Sequence, residues 1–314
     1  MISMNAILKT RRNCGVPHTW TQRANPLTAN AECVANGSDG YWVVGSRDGE
    51  IATAVDPTGV WTLQATPFIN WVTDVAHDQA GMWVAIALSN GTFPDLATAT
   101  NPAGVWTLRS IPFANQNAYG VGYGNGVWVV VGSTGYLATA TDPTGTWTLR
   151  TSSFGSTIAS VAYGNGVWVA VGRSGKLATA TDPTGTWTQR TSSFGSSNIN
   201  HIAYGTDGLW VAVGEGSKIA TATDPTGTWT QRVNPFSPQG INASGFGGCS
   251  WVAVGDIGKL ATALDPTGVW SLETSSFGTD NIRDVDYGVD NYWVAVGDDL
   301  SGPGGSIATA RPGI

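Results

Sequence analysis

"LATATDPTGTWT" occupies residues 137–148 and 177–188, and returns at 219–230 with Ile in first place. Looser copies begin at Ile51, Leu96 and Leu260. A segment written this often is either a repeated active site or a repeated structural part. A catalytic group acts once, at one asymmetric site, whereas a turn is needed in every structural unit. Asp and Pro start turns, and Gly takes the positive φ that closes them. DPTG is therefore predicted to be a hairpin turn, with Asp56, Asp142, Asp182, Asp224 and Asp265 as its caps. The Trp next to last in each copy (Trp61, Trp106, Trp147, Trp187, Trp229, Trp270) is expected to fold back over the hairpin.

A second motif, Trp-Val-Ala-Val-Gly or a near variant, precedes each copy. Its tryptophans are Trp42, Trp83, Trp128, Trp168, Trp210, Trp251 and Trp293, spaced by 40–45 residues. With Trp20 added to the hairpin series, the two series hold all but one of the 15 tryptophans. A period of this length marks a propeller blade or a solenoid unit. One unit reads as four short strands: A at 158–163, B at 167–171, C at 177–181 and D at 186–190. They alternate with period two, are rich in Val, Thr and Trp, and have Gly, Asn, Asp and Pro between them.

The chain ends decide between ring and solenoid. The last copy, "YWVAVGDDLSGPGGSIATARPGI", stops before a strand D. The opening "PHTWTQR", residues 17–23, is a strand D with no strand C before it. The spare piece matches the missing one. An all-β, seven-bladed β-propeller is predicted, with four antiparallel strands per blade. Pairing the N-terminal strand with the C-terminal blade closes the ring and removes two sheet edges. Residues 1–16 are assigned to an N-terminal extension and 17–314 to a single propeller domain.

The Asp/Gly/Trp hairpin resembles the Asp-box of sialidases and related propellers, with the Gly shifted by one place. The Trp/Gly repeats also resemble propellers of the photosystem II assembly-factor type and proteins of tailed phages. The resemblance implies that the box is a structural hairpin away from any active face. A sialidase needs three arginines converging on a carboxylate, plus a Tyr/Glu pair. Arg23, Arg109, Arg150, Arg190 and Arg232 instead recur at the end of strand D, where they cannot converge.

Composition narrows the function classes. Charged residues make up 12% of the chain and the net charge is −7. No basic cluster exceeds Arg11-Arg12, which argues against a nucleic-acid surface. No stretch is long enough to span a membrane. The three cysteines, Cys14, Cys33 and Cys249, have neither zinc spacing nor a disulfide framework and are expected to be inert thiols. His18, His77 and His201 fall in different blades, with no metal spacing. No cofactor, metal or catalytic set is expected. The N-terminus carries no signal-peptide h-region, so synthesis in a host cytoplasm is expected.

The copies differ on one side only. Windows 126–156 and 166–196 differ at five positions, three of them in the B–C hairpin: Ser133/Arg173, Thr134/Ser174 and Tyr136/Lys176. Other copies place Arg47, Asp48 and Glu50, or Phe93 and Asp95, or Glu215 and Lys218, or Asp256 and Lys259, or Asp298 and Asp299 there. The D–A connections vary too, and carry Trp71, the fifteenth tryptophan, with Asn200 and His201 close by. D–A and B–C loops share one rim of a blade. Loops on a rigid scaffold carry function, so this face is the candidate binding surface, with free drift of exposed loops as the alternative. Trp71 is placed to stack on a sugar or anchor a protein, or else to cap the core between blades.

A non-enzymatic binding or assembly protein is expected. The first reading is a phage virion component: a tail, baseplate or capsid accessory protein, or a host-recognition adhesin. Its partners would be other virion or assembly proteins, or a cell-surface glycan. A carbohydrate-binding propeller and an assembly factor of the photosystem II type are the alternatives.

Overall fold

The computed structural model describes residues 15–313, apart from 18, 79, 90–95, 114, 300, 301 and 303. Seven four-stranded antiparallel sheets form the blades. Blade 1 holds β2 (Ala31–Asn36), β3 (Trp42–Ser46), β4 (Ile51–Ala54) and β5 (Thr62–Gln64). Blades 2 to 6 repeat this order as β6–β9, β10–β13, β14–β17, β18–β21 and β22–β25. Blade 7 has β26 (Ile282–Tyr287), β27 (Trp293–Asp298) and β28 (Gly305–Ala310) from the C-terminus. Its fourth strand is β1 (Thr21–Arg23), which pairs Thr21 with Thr309. The ring is thus closed by the N-terminal strand.

The A strands are innermost and touch one another around the ring. Packing between blades explains the apolar repeat. Each of seven buried clusters spans one junction, combining B- and C-strand side chains of one blade with those of the next. At the closing junction Val294, Val296 and Ile307 of blade 7 meet Trp42, Val44 and Ala52 of blade 1. All seven B-strand tryptophans are fully buried. Truncating such a side chain costs about 3–5 kcal/mol, so seven of them fix the ring.

The C–D hairpin is a turn built from its own side chains. Asp142 accepts from the Thr144 N–H at 2.8 Å and its hydroxyl at 2.7 Å. The Gly145 N–H donates to the Asp142 carbonyl at 3.1 Å, and Trp147 Nε1 donates to the Pro143 carbonyl at 3.2 Å. The set recurs around Asp56, Asp182, Asp224 and Asp265. Asn101 fills the place in blade 2. The hydrogen bonds to Thr hold these five carboxyls below the usual range. One expectation fails: the DPTG glycines do not have positive φ. At Gly145 an added Cβ would come no closer than 3.5 Å to the Asp142 carbonyl oxygen, so neither φ nor close approach demands glycine.

Strand D is shorter than its sequence suggests. In blade 4 it is Thr188–Arg190 rather than 186–190, because Trp187 leaves the ladder to reach Pro183. Arg150, Arg190 and Arg232 each donate Nε to the Thr of the paired C strand. They are fasteners of the outer edge.

Every A strand carries a β-bulge after its first residue, as between Ala31 and Cys33 or Ile282 and Asp284. A bulge leaves backbone groups out of the ladder. Side chains of the neighbouring blade supply the partners. Asn200 and Asn242 donate to the Ile241 and Ile282 carbonyls of the next blade, each at 2.9 Å.

Candidate functional site

Both the D–A and the B–C connections lie on one rim, since the first A-strand residue pairs with the end of strand B, as Ala31 with Ser46. Many of the varied residues there are committed to building the loops. Glu50 accepts from the N–H and hydroxyl of Thr28 and the hydroxyl of Ser46. Lys176, Lys218 and Lys259 donate Nζ to the carbonyls of Phe154, Phe194 and Phe236, the buried aromatics of the D–A loops. Tyr136 takes the same place as Lys176 and packs its ring against Phe113 instead, tilted by 57° with centroids 5.4 Å apart. The Tyr136/Lys176 difference is therefore two ways of closing one gap.

Asn200 bridges blades 5 and 6. His201 accepts the Ser244 N–H at 3.4 Å, and burial pushes its pKa down to about 4. It is neutral near pH 7 and engaged, so it offers no base there. Asp48, Arg173 and Glu215 are exposed, and Glu215 accepts from Asn198. Asp299 lines a shallow hollow with Gln22 and Asp280. Phe93 and Asp95 lie outside the described residues.

Three of the varied residues do meet. Arg47 stacks its guanidinium over the Trp71 ring, 4.5 Å from the centroid. Its Nε donates to Glu32, and its outer nitrogen lies 3.6 Å from Asp298. Asp298 is buried and accepts a two-pronged bond from Arg283, at 3.0 and 2.7 Å. Glu32 and Arg283 occupy the same place on the A strands of blades 1 and 7. Burial pushes the Glu32 carboxyl up, against the pull of Arg47 and Arg283. Asp256 of blade 6 accepts from Asn242 at 3.2 Å, and its charge also acts on Arg283. Acid–base pairing fixes Arg47, and Arg47 fixes Trp71. Trp71 remains 39% exposed, so it does not serve only as a core cap. Two more exposed apolar side chains, Ile69 and Ile257, stand on this rim. Ile257 has φ of +50°, a conformation unfavourable for a β-branched residue, and in blades 3 and 4 its place is taken by Thr134 and Ser174.

The inner wall holds residues that the repeat comparison overlooks. Asp74, Asp284 and Asp286 lie on A strands, where their carboxylates reach across to the next blade. Asp74 accepts from Val121, Asp284 from Val34 and Asp286 from Asn36, at 2.8, 2.9 and 2.8 Å. Each also accepts the N–H of its own successor. Burial raises their pKa values, Asp284 to about 8, Asp74 to about 7 and Asp286 to about 6. The sequence signal was present in the A strands: the place of Asp74 and Asp284 reads Cys33, Asp74, Gly120, Ser160, His201, Ala243 and Asp284 around the ring.

Among the described residues no three His, Cys, Asp or Glu side chains are grouped to hold a metal ion. No helix of the described residues is long and apolar enough to cross a membrane. The cysteines differ from expectation. Cys33 is a buried free thiol, but Cys249 is disulfide-bonded. Cys14 and the rest of 1–14 lie outside the described residues.

No family model matches the chain, and no curated protein matches it. Solved structures do. YCF48 bound to D1 peptide is 14% identical, covering 95% of this chain and 100% of its own, with a TM-score of 0.74. Virginiamycin B lyase from Staphylococcus aureus is 13% identical, covering 93% and 98%, with a TM-score of 0.79. The RRP9 WD40 repeats are 11% identical, covering 94% and 99%, with a TM-score of 0.73. At these identities the likeness concerns the propeller fold. The neighbours include both a lyase and a protein holding a peptide.

Proposed function

We propose that this chain is a non-enzymatic binding or assembly protein whose D–A/B–C face grips a segment of a protein partner. The observation that carries this reading is the Arg47–Trp71 pair. A half-exposed Trp, immobilised by a buried ion-pair network, is the kind of rigid aromatic anchor that dominates protein interfaces. The exposed Ile69 and Ile257 add apolar contact. The neighbour solved with a bound peptide supports a peptide occupant on this fold.

The partner we propose is another virion protein. The 31-residue windows that differ at five positions point to recent duplication, and the repeats resemble those of tailed-phage proteins. A tail, baseplate or capsid accessory role, or an adhesin role, follows from this reading. Disulfides persist in oxidising surroundings, so the bonded Cys249 supports an extracellular destination after synthesis in a host cytoplasm. The glycan reading draws on the same Trp71 ring, which is open enough to stack on a sugar. The photosystem II type of assembly factor is not favoured, because no concentrated arginine patch is present.

The test is selection from a displayed random-peptide library by the intact protein and by the Trp71→Ala/Arg47→Ala double variant. Enrichment by the wild type alone is expected. Equal enrichment by both removes the site. Glycan-array binding lost in the double variant, without peptide enrichment, replaces the protein partner with a sugar. Co-sedimentation of the protein with purified phage particles tests the virion placement separately.

A further inference from the structure

We propose that the A–B/C–D rim of blades 6, 7, 1 and 2 is a docking surface for a protein partner whose apolar side chains are bordered by Lys and Arg. The copies vary on this rim as well, in apolarity rather than in turn chemistry. Two places flank each DPTG turn. They hold Thr141 and Thr146 in blade 3, Thr181 and Thr186 in blade 4, and Thr223 and Thr228 in blade 5. Blade 1 has Val55 and Val60 there, blade 6 has Leu264 and Val269, and blade 2 has Val105 at the second place. Val60, Val105 and Val269 are 84%, 82% and 82% exposed. Blade 7, between blades 6 and 1, adds Val289 in its A–B turn, where blades 1 and 5 have Ser38 and Thr206. The Val289 N–H donates to the Asn36 side chain of blade 1 at 2.9 Å, which sets this valine at the junction of the two blades.

The fold does not ask for these apolar side chains. Around both Asp56 and Asp142 the carboxylate accepts from the Thr hydroxyl at 2.7 Å and the Trp Nε1 donates to the Pro carbonyl at 3.2 Å. The hairpin is thus the same with Val or with Thr beside it. Strand D, on the outer wall, divides in a similar way. Its middle residue in blades 4, 5 and 7 is Gln189, Gln231 or Gln22, which donates to the carbonyl of Ser153, Ser193 or Ser276 at 2.7, 2.9 and 3.1 Å. In blades 1, 2 and 6 it is Leu63, Leu108 or Leu272, which can make no such bond and is exposed. Blade 3 stands between the two kinds, with Leu149 on strand D and Thr141 and Thr146 at the turn. Apolar side chains scattered singly are ordinary surface, but side chains gathered on one side of a ring mark an interaction site.

Charge chooses the occupant. Among the described residues, the A–B and C–D turns of this sector carry Asp39, Asp56, Asp78, Asp265 and Asp290 and one cation, Arg311. Arg311 is held over the Tyr292 ring, 4.2 Å from its centroid. Hydrogen bonds from Thr58 and Thr267 hold Asp56 and Asp265 below the usual carboxylate range, so both are ionised near neutral pH. Two copies meeting through this rim would set like charges against each other, and a leaflet of anionic lipid would meet the same repulsion. A protein interface has an apolar centre and a polar border. Here the border is acidic, and its complement is basic.

This rim is opposite the one that carries Arg47 and Trp71, so the inference does not depend on the proposed binding face. It is tested on the full chain with three synthetic peptides of equal length, built from Leu and Lys, Leu and Glu, or Ser and Lys. Binding is read by fluorescence anisotropy in the wild type and in the Val60→Thr/Val105→Thr/Val269→Thr variant. The variant borrows the residues of blades 3 to 5, and thermal unfolding confirms that its ring is intact. The Leu/Lys peptide is expected to bind the wild type at least tenfold tighter than the other two, and to weaken as salt rises. A loss of at least tenfold is expected in the variant. Undiminished binding to the variant, or a Leu/Glu peptide bound as tightly, overturns the proposal.

Hydrogen exchange locates the contact. With the Leu/Lys peptide bound, slower exchange is expected over 55–63 and 264–272 and unchanged exchange over 181–189 and 223–231. Protection spread evenly over all of these hairpins overturns the choice of sector. Two further measurements address the other occupants. Sedimentation of the wild type alone is expected to show a monomer; a dimer that the triple variant loses would make a second copy the occupant. Flotation with phosphatidylcholine vesicles is expected to leave the protein behind; flotation lost in the variant would make a lipid surface the occupant. Either result overturns the proposal.

Discussion

The Val34 N–H of blade 1 donates to a carboxylate oxygen of Asp284 in blade 7 at 2.9 Å, joining residues 250 apart. Two further contacts cross the same junction. Asp286 accepts from the Asn36 N–H, and Asp290 accepts from Trp42 Nε1 at 2.9 Å. The junction beside the noncovalent β28–β1 pairing is thus clasped by three carboxyl groups.

This clasp sets a pH dependence. Asp284 has a folded pKa of about 8 against an ordinary 3.8. A raised carboxyl binds its proton more tightly in the folded state. Its contribution to stability is complete below about 3.8 and is lost as pH rises through about 8, at roughly 1.4 kcal/mol per unit of displacement. Asp74 and Asp286 act likewise, through about 7 and 6. The unfolding temperature is expected to climb on acidification from pH 9 to pH 5. In Asp284→Asn the upper part of that climb should disappear. Asn also turns a donor toward one of two amides, at a cost of about 1–3 kcal/mol. A scan of unfolding temperature against pH in both proteins checks both effects.

The clasp is unevenly provided around the ring. Trp83 and Trp251, like Trp42, donate to an Asp in the A–B turn of the preceding blade, at 2.9 and 2.8 Å. Blades 3 and 6 have shorter turns without Asp, and Trp168 and Trp293 after them have no acceptor among the described residues. Replacing the blade 3 turn, residues 124–126, with the Asp207-containing turn of blade 5 is expected to satisfy Trp168. A gain of about 1 kcal/mol in denaturant unfolding is the expected size. An unchanged midpoint would mean that Trp168 does not feel the loss.

Blade 2 departs from the hairpin consensus, with Asn101 and Ala103 where the others have Asp and Thr. Restoring Asn101→Asp with Ala103→Thr supplies the missing hydroxyl bond. A higher unfolding temperature and unaltered ligand binding are expected. The reverse change, Asp142→Ala, should lower the unfolding temperature slightly and leave binding alone.

Removing residues 1–24 deletes β1 and bares the edge of β28. An exposed edge pairs with other chains, so oligomers are expected by light scattering, together with a lower unfolding temperature. A monomer of unchanged stability would contradict closure by β1.

The ring was legible in the sequence because its cause is periodic. Trp42 to Trp293 recur since every junction needs the same plug, and the spare 17–23 strand revealed the closure. The DPTG glycine was misread because Asp142 and Thr144 already form the turn, leaving no positive φ for Gly145 to supply. The inner carboxylates escaped notice for a different reason. The bulge breaks the alternation at Asp284, so strand A shows no clean period there. Of the varied rim, the comparison of copies found Arg47, Trp71 and Asp298. It could not separate them from Lys176 or Glu50, whose partners are backbone carbonyls and neighbouring loop groups. Glu32 and Arg283, which complete the network, sit in strands rather than in the loops being compared.

Gly15 lies against Gly313, where an added Cβ would stand 2.1 Å from the carbonyl oxygen, and this bears on how the gene could be written. The two ends of the described chain meet inside what would otherwise be an ordinary hairpin. Where the polypeptide is cut is therefore separable from how the blades pack. A circular permutant that joins residue 313 to residue 15 by a short linker, with new termini in the exposed turn after Pro143, would keep every junction between blades. It would move the seam from blade 7 to blade 3, and β26–β28, which now meet β1 only by noncovalent pairing, would then run on without a break through β1 into blade 1 across the Asp284–Val34 clasp.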